Sequence, residues 1–369
     1  MSSLPHFYYH PRLLEYEISP QHPLKPERLR RTIELLDRYG VVPIDPGPCR
    51  LDDVLRVHSA EFVEAVKRLD PIEENDPLSE EDRYELAWIH GFHSSDNPAF
   101  PRMYRASLAY TAATVKAAEA VRDGASLAFG IGGGLHHALR EKASGFCVFN
   151  DPAIACAVLR DRFARVAYVD IDVHHGDGVQ WIFYDDPSVL TISIHEDGRT
   201  LWPRTGGTEE TGRLFSSFNI PLEAKTTGDV WLWAFKETAI PALRAFQPEA
   251  IVLQMGVDTH FADKLGHLNN TAQEWLEAVI AIKELGVPIV ALGGGGYTIT
   301  NVPRMWAAAC LTLSDIPFDH AVPADLAEAW DMPRYFDPYL PTPREQGIEW
   351  AEDVVNTLID DHLPNLVGP

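Results

Sequence analysis

The sequence predicts an α/β fold in which a single-domain parallel sheet is flanked by helices. The first observation is a set of short runs rich in Val, Ile, Leu and Ala, in which apolar and polar residues do not strictly alternate. Such runs are typical of strands buried on both faces of a parallel sheet. The predicted strands span residues 125–129, 165–170, 189–194, 250–254 and 288–292.

The second observation is that helical segments alternate with these strands. Residues 103–122 are rich in alanine, and residues 152–163 have the spacing of an amphipathic helix. Residues 229–246 and 272–285 are long enough to cross over between parallel strands. The proline-rich stretch 317–343 is expected to wrap the surface as irregular structure.

Length, charge and cysteine content narrow the class of protein. With 369 residues, 46% of them hydrophobic, the chain can bury a large core. We expect one domain, with its core at about 20–315 and an irregular and helical C-terminal wrap at 316–369. The net charge of −23 disfavours nucleic acid and anionic membranes as partners. Four scattered cysteines predict no disulfide scaffold, and the lack of a signal peptide or a long apolar stretch predicts a cytoplasmic protein.

Acidic residues and a histidine gather where two predicted strands end. Asp172 and His174 follow strand 165–170 and lie two residues apart, so they point to the same side of an extended chain. Asp258 follows strand 250–254, and parallel strands end at the same edge of a sheet. Alone, Asp172 would fit a helix N-cap or a salt bridge, but charges crowded this closely need a cation or hydrogen-bonding partners. Two carboxylates and one imidazole therefore predict a site for Zn²⁺, with Fe²⁺ as the alternative.

Two adjacent histidines, His136 and His137, follow the first predicted strand at the end of a glycine run. A metal hydrolase needs a base for the attacking water and an acid for the leaving group, and two histidines could divide these tasks. Asp170 and Asp177 are then left to hold the far ring nitrogens and fix the tautomers. The alternative is a pair of core histidines that hydrogen-bond to the backbone, and the acidic neighbours disfavour it.

Tyr297 ends a third motif, a run of four glycines and a tyrosine. Such a tyrosine can bring its hydroxyl to a developing oxyanion, although a packed tyrosine at a strand end is the alternative. A dinucleotide loop is disfavoured because neither glycine run matches GxGxxG. Two interpretations fit the segment around Gly145 and Phe146 and the segment around Trp202. They form the walls of a narrow channel for an aliphatic chain, or they are ordinary core residues. By position alone, Arg28 fits a surface arginine at a helix start.

Seven motifs occur along the chain in a characteristic order. They are His-Pro-Leu followed by Arg28, Asp-Asn-Pro, Gly-Gly-Gly-Leu-His-His, Gly-Phe-Cys, Asp-Ile-Asp-Val-His-His-Gly-Asp-Gly, Gln-Met-Gly-Val-Asp-Thr and Leu-Gly-Gly-Gly-Gly-Tyr. From His22 to about Leu313, the chain therefore resembles the zinc-dependent histone deacetylase superfamily, most of all the bacterial class I-like and acetoin-utilisation type deacetylases. The resemblance implies an arginase/deacetylase-like fold and a single deacetylase domain. It also implies a metal-dependent amidohydrolase that removes acetyl or another short acyl group from the lysine ε-amine of proteins or peptides.

The resemblance implies a role for each candidate residue. The metal ligands implied are Asp172, His174 and Asp258. The tandem histidines are His136 and His137, with His137 as general base and acid, and their carboxylate partners are Asp170 and Asp177. Tyr297 is implied to polarise the acyl carbonyl. The substrate contacts implied are Gly145 for the amide N–H, Phe146 and Trp202 for the lysine methylenes, Asp96 and Leu265 at the rim, and Arg28 in the exit cavity for the released acid. A potassium ion is implied close to the metal, at Asp170, Asp172, His174, Ser193 and Ile194.

Two departures from the family pattern bear on the substrate. Trp202 lies where the family often has phenylalanine. The larger tryptophan side chain is expected to narrow the channel. Leu265 is apolar where an acetylpolyamine amidohydrolase would favour a carboxylate for a distal ammonium group. The alternatives to lysine deacetylation are acetylpolyamine hydrolysis and a catalytically idle acyl-lysine binding protein. A ureohydrolase of the arginase type is disfavoured because it needs two metals and residues 254–258 offer one carboxylate.

Overall fold

The computed structural model describes residues 5–72, 78–339, 341 and 344–366. Its centre is a sheet of seven parallel strands in the order β1-β2-β7-β6-β3-β4-β5. The strands are β1 His6–Phe7, β2 Leu127–Gly130, β3 Val166–Asp170, β4 Val189–Glu196, β5 Ser217–Leu222, β6 Ala250–Gln254 and β7 Ile289–Leu292. This architecture confirms the predicted α/β fold with a single parallel sheet flanked by helices.

Helices of varied length connect the strands. In the described chain the α-helices are α1 Glu27–Asp37, α2 Leu51–Val54, α3 Ala60–Leu69, α4 Glu80–Ile89, α5 Met103–Arg122, α6 Asp151–Leu159, α7 Asp177–Phe183, α8 Gly228–Phe246, α9 Ala272–Lys283, α10 Val302–Leu313, α11 Ala324–Trp330 and α12 Ile348–Thr357. Short 3₁₀ turns lie at Pro11–Glu15, Arg213–Phe215 and Leu363–Asn365, and a π-helical turn lies at Leu358–His362. Among these helices, none combines the length and the apolar content that spanning a membrane would require.

The sheet is buried on both faces. Along β3, Val166 and Tyr168 pack with α5 and α6, whereas Ala167 and Val169 belong to the core on the opposite face. Successive side chains of a strand point to opposite faces, so burial on both sides produces the unbroken apolar runs of the sequence. β5 was missed because Asn219 and Pro221 interrupt its apolar run, and it is an edge strand, where proline is tolerated.

The strand order reverses between β3 and β6. From β3 the chain builds outward to β4 and β5, and then it returns to add β6 and β7 on the other side. Asp170 pairs in register with Gln254, so the carboxyl ends of β3 and β6 lie side by side. In open α/β sheets, ligand sites form beyond the strand ends at such a reversal.

A buried ion pair attaches the C-terminal segment to the main body of the fold. Oδ1 of Asp337 lies 2.7 Å from Nη2 of Arg304, and Oδ2 lies 3.0 Å from Nε2 of His260. Oδ2 also accepts a hydrogen bond of 2.8 Å from the N–H of Ala272 at the start of α9. One carboxylate thus joins the segment after α11 to α9, to α10 and to the loop that follows β6.

We predict that Asp337→Asn lowers the free energy of unfolding by about 3 kcal/mol, because it leaves Arg304 buried without its carboxylate. Burial opposes the ionised form, yet His260 and Arg304 lower the pKa of Asp337 to about 2. The difference from wild type should therefore be complete above about pH 5 and should shrink as the pH falls toward 2. Urea unfolding at several pH values measures it.

Asp325→Asn is the matched control. Asp325 forms a 2.9 Å ion pair with Arg38 at the surface, where solvent screens the two charges and the pair contributes little to stability. Equal destabilisation by the two substitutions would show that the Asp337 pair does not anchor the segment.

Candidate active site

The predicted site residues follow strands that end at one edge of the sheet. His136 and His137 follow β2, the segment that contains Asp172 and His174 follows β3, and Asp258 follows β6. The glycine-rich turn that leads to Tyr297 follows β7. Because all these strands are parallel, their loops meet above the reversal between β3 and β6.

Asp172, His174 and Asp258 meet at this edge. Nδ1 of His174 lies 3.1 Å from Oδ1 of Asp172 and 3.2 Å from Oδ2 of Asp258. One ligand atom from each residue lies within 4.8 Å of the others, and all three residues are buried. This metal group, as we call the three side chains, can enclose one divalent ion.

The charges of the metal group favour a cation at its centre. Burial and the negative charge of Asp172 raise the pKa of Asp258. Burial disfavours a charged His174, yet the two carboxylates raise its pKa above the ordinary value. A proton on His174 thus supplies the positive charge that the carboxylates need, and a divalent ion can take its place. The donor set therefore fits a metal.

Backbone and amide donors hold the carboxylates of the metal group. Oδ2 of Asp172 accepts hydrogen bonds of 2.8 Å from Nε2 of Gln254 and from the N–H of Gly295. Oδ1 of Asp258 accepts one of 2.9 Å from the N–H of Val173. A Cβ at position 295 would lie 2.1 Å from Oδ2 of Asp258, so glycine is required for the backbone to approach this closely.

The tandem histidines are each held by one carboxylate. Nδ1 of His136 lies 2.6 Å from Oδ2 of Asp170, and Nδ1 of His137 lies 2.6 Å from Oδ1 of Asp177. The two Nε2 atoms lie 2.9 Å apart. Both Nδ1–H groups thus donate to carboxylates, which leaves the two Nε2 atoms without a carboxylate partner.

The two histidines differ in their charge. For His136, the carboxylates of Asp170 and Asp172 outweigh the effect of burial and raise the pKa to about 9. For His137, burial and the positive charges of His136 and His174 lower the pKa well below its usual range. At neutral pH, His136 is therefore a cation and His137 is a neutral base.

A second group of potential metal ligands consists of His136, Asp170 and Asp172. It shares Asp172 with the metal group, and Nδ1 of His136 is hydrogen-bonded to Asp170. We therefore interpret it as the histidine–carboxylate pair and not as the second metal site that a ureohydrolase would need.

Tyr297 lies beside the metal group as a protonated phenol. Burial, followed by the carboxylates of Asp258 and Asp172, raises the pKa of its hydroxyl well above 10. The ring meets that of Phe146 edge to face, with the ring centroids 5.8 Å apart. Tyr297 thus keeps its proton and can donate a hydrogen bond.

Aromatic rings border the approach to the histidines. The centroid of Trp202 lies 4.6 Å from that of His137, and 41% of Trp202 is exposed. Gly145 lies between these two side chains, because a Cβ there would be 2.4 Å from the ring of His137 and 2.5 Å from that of Trp202. The φ of +51° at Gly145 also favours glycine. Trp202 thus packs beside His137, and Phe146 packs beside Tyr297.

The predicted rim residues lie on two loops. Asp96 is exposed on the loop before α5, and Leu265 is partly buried on the loop after β6. The N–H of Leu265 donates to Oδ1 of Asp263 at 3.1 Å. Neither Asp96 nor Leu265 belongs to the metal group.

The residues predicted for potassium lie on two neighbouring strands, β3 and β4, and on the loop that follows β3. Ser193 pairs in register with Asp170 across β3 and β4, and Ile194 follows it. The hydroxyl of Ser193 lies 2.9 Å from Nδ1 of His195 and 3.3 Å from the N–H of Gly176. These groups adjoin the metal group because Asp170 lies two residues before Asp172.

Arg28 is buried, so its interpretation as a surface arginine is wrong. Its guanidinium donates to the carbonyls of Gly294 and Gly296 at 2.7 and 3.2 Å, and it lies 5.0 Å from the ring centroid of Trp306. It borders a small cavity of about 30 Å³ that Tyr16 also lines. A helix-start position alone carried no sign of this burial, since its carbonyl partners are distant in sequence.

The sequence analysis missed the residues that hold the site in place. They are Asn97 and Tyr16, which hydrogen-bond to the backbone of Phe146, Gln254, which donates to Asp172, and Asp263, which accepts from the N–H of Tyr297. Asn97 and Gln254 lie within the motifs quoted above, so a signal was present. Tyr16 and Asp263 carry no local signal, because their partners lie far away along the chain.

The chain matches a family of known proteins over most of its length. Residues 22–313 match the family model of the histone deacetylase domain. The chain belongs to the histone deacetylase family. Membership makes it a hydrolase of the deacetylase type.

Relatives and solved structures agree with this family. The chain is 35% identical to the acetoin utilization protein AcuC of Bacillus subtilis, over 93% of each chain. It is 35% identical to AcuC of Staphylococcus aureus, over 88% of this chain and 85% of the relative. A crystal structure of a histone deacetylase homologue from Aquifex aeolicus matches with a TM-score of 0.86 and 25% identity, over 96% of this chain and 100% of that chain. A structure of a homologue complexed with SAHA matches equally well.

We predict that the protein binds one divalent ion and that Asp258→Asn and His174→Ala each abolish this binding, because each removes one of three ligands. Calorimetric titration with Zn²⁺ and metal analysis after dialysis measure the stoichiometry. His362→Gln alters a buried histidine at the C-terminal turn and should leave one ion bound. Full occupancy in either ligand variant would contradict the assignment.

Proposed function

We propose that this histone deacetylase family member removes acetyl or another short acyl group from the ε-amine of lysine in proteins or peptides. The observation that carries the proposal is the convergence of the metal group, the neutral imidazole of His137 and the protonated phenol of Tyr297 in one pocket. The flanking rings of Phe146 and Trp202 suit the unbranched methylene chain of lysine.

The metal group is proposed to hold Zn²⁺, with Fe²⁺ as the alternative, since two carboxylates and one imidazole form a fairly hard ligand set. When bound, such an ion polarises a carbonyl and lowers the pKa of a water molecule. We also propose K⁺ as a structural cation beside it, at Asp170, Asp172, His174, Ser193 and Ile194. Potassium would offset part of the negative charge that Asp170 and Asp172 concentrate at the end of β3.

The chain's own residues then move the protons. His137 takes the proton of the attacking water at Nε2, because its Nδ1–H already donates to Asp177. Tyr297 keeps its hydroxyl proton and donates a hydrogen bond to the oxygen on which negative charge develops. His137 returns its proton to the lysine amine as the amide bond breaks. His136, held as a cation by Asp170, keeps His137 neutral until the water reacts.

We propose that different residues contact different parts of the substrate, from the rim of the site inward. Asp96 would hold the substrate backbone, and Leu265 would contact the rim side of the chain. The carbonyl of Gly145 would accept the amide N–H between the rings of Phe146 and Trp202. The released acid would leave through the small cavity beside Arg28, whose guanidinium offsets a carboxylate charge.

We predict that the metal-loaded protein hydrolyses a fluorogenic acetyl-lysine peptide and that a chelator stops the reaction. Tyr297→Phe should lower kcat by about 10²–10³-fold with the fold and the metal intact, since it removes one donor to the oxyanion. Tyr84→Phe, on an exposed helix, is the control and should keep the wild-type rate. A wild-type rate for Tyr297→Phe would remove the tyrosine from the mechanism, and no turnover of any acylated amine by the wild type would favour an idle binding protein.

From the apolar side chain of Leu265, we predict which acylated amine the protein prefers as substrate. Because Leu265 offers no charge to a distal ammonium group, acetyl-lysine peptides should be cleaved with a higher kcat/KM than acetylpolyamines. Leu265→Glu should raise kcat/KM for acetylspermidine by about tenfold, whereas the uncharged Leu265→Gln should not. A wild-type preference for acetylpolyamines would replace lysine by polyamines as the proposed substrate.

A further inference from the structure

The turn that presents Tyr297 has little stiffness of its own. Four glycines precede the tyrosine, and Gly294 and Gly296 have φ values of +148° and +133°. Glycines in such conformations are free to leave them, because no Cβ restricts the backbone. The position of the Tyr297 hydroxyl therefore depends on what holds the turn from outside.

Asp263 holds this turn through two backbone N–H groups. Its Oδ2 accepts hydrogen bonds from the N–H of Tyr297 at 2.8 Å and from the N–H of Thr298 at 3.2 Å. The hydroxyl of Thr298 also donates to the carbonyl of Ala262 at 2.8 Å, next to Asp263. The loop after β6 and the catalytic turn after β7 are thus joined at Asp263.

The other carboxylate oxygen of Asp263 holds the rim. Oδ1 accepts hydrogen bonds from the N–H groups of Lys264 at 2.7 Å and Leu265 at 3.1 Å. Burial raises the pKa of Asp263, and the four N–H donors oppose that shift because they stabilise the ionised form. One carboxylate therefore fixes the backbone at Leu265 and at Tyr297 together.

The glycines of the turn are held by two other side chains, those of Arg28 and Asp172. Arg28 donates to the carbonyls of Gly294 and Gly296, upstream of the tyrosine. The N–H of Gly295 donates to Asp172 of the metal group. These contacts fix the glycines, whereas Asp263 fixes the backbone of Tyr297 itself.

We propose that Asp263 is a positioning residue that sets the Tyr297 hydroxyl for oxyanion stabilisation and ties it to the rim loop of Leu265. The proposal rests on the proposed function of Tyr297 and extends it to a residue outside the metal group. An asparagine at position 263 keeps one acceptor oxygen and turns an NH₂ group toward N–H donors. It therefore loses the contacts to the turn or to the rim loop.

A double-mutant cycle tests the proposal with metal-loaded, full-length protein and a fluorogenic acetyl-lysine substrate. Asp263→Asn should lower kcat about 10- to 100-fold, because a small displacement of a catalytic group is costly, and kcat should carry more of the loss than KM. In the Tyr297→Phe background, the same substitution should change kcat by no more than about twofold, because the hydroxyl that it positions is absent.

Asp70→Asn is the matched control. Asp70 is buried and accepts hydrogen bonds from the N–H groups of Ile72, Arg102 and Tyr104 near the start of α5. Its substitution should lower the thermal stability and leave kcat unchanged. The metal content of every variant is measured, and loss of the ion in Asp263→Asn would overturn the proposal, since the effect would then arise at the metal group.

Two further results would overturn it. One is a multiplicative loss of kcat in the double variant, which would show that Asp263 acts independently of Tyr297. The other is unchanged hydrogen exchange in Asp263→Asn at both pairs of amides, Tyr297 and Thr298 in the turn and Lys264 and Leu265 in the rim loop, where faster exchange of at least one pair is expected. The exchange measurement needs no substrate, so it decides the proposal even if the wild-type protein cleaves no acyl-lysine. In that case the proposed function fails separately.

Discussion

Two buried carboxylates on neighbouring strand ends, Asp172 and Asp258, impose the main constraint on this structure. Their negative charges lie too close to remain buried without a shared cation, and His174 supplies a site for one between them. Hydrogen bonds from Gln254, Gly295 and Val173 occupy oxygens of both carboxylates. The close approach of the backbone that makes these contacts explains the glycines of the turn after β7.

The same negative charge divides the work of the tandem histidines. Asp170 and Asp172 raise the pKa of His136 against the effect of its burial, whereas burial and the positive charge at its neighbours, first His136 and then His174, lower the pKa of His137. Two identical side chains at adjacent positions therefore differ in protonation state at neutral pH. This difference supports the proposed role of His137 as the base.

Single carboxylates fix the loops around the pocket by accepting several backbone N–H groups. Asp151 accepts from Gly134 and Leu135 before the tandem histidines, and Asp263 accepts from the catalytic turn and the rim loop. Loops rich in glycine gain order from such contacts without losing the close backbone approach that they allow. The geometry of the site therefore depends on acidic residues outside the metal group, as well as on those within it.

The sequence by itself determined the fold class, the positions of five strands along the chain and the identity of the groups that meet at the strand ends. Those features depend on local patterns, such as the apolar runs of a sheet buried on both faces and the acidic cluster from Asp170 to Asp177. Only the tertiary structure decided that Arg28 is buried, that β5 completes the edge of the sheet, and that Asp263 holds Tyr297. Hydrogen bonds between residues distant in sequence leave no periodic or compositional trace, because either partner alone is an ordinary polar residue. Distances and charge states within the pocket likewise depend on how separate loops pack, which no single segment encodes.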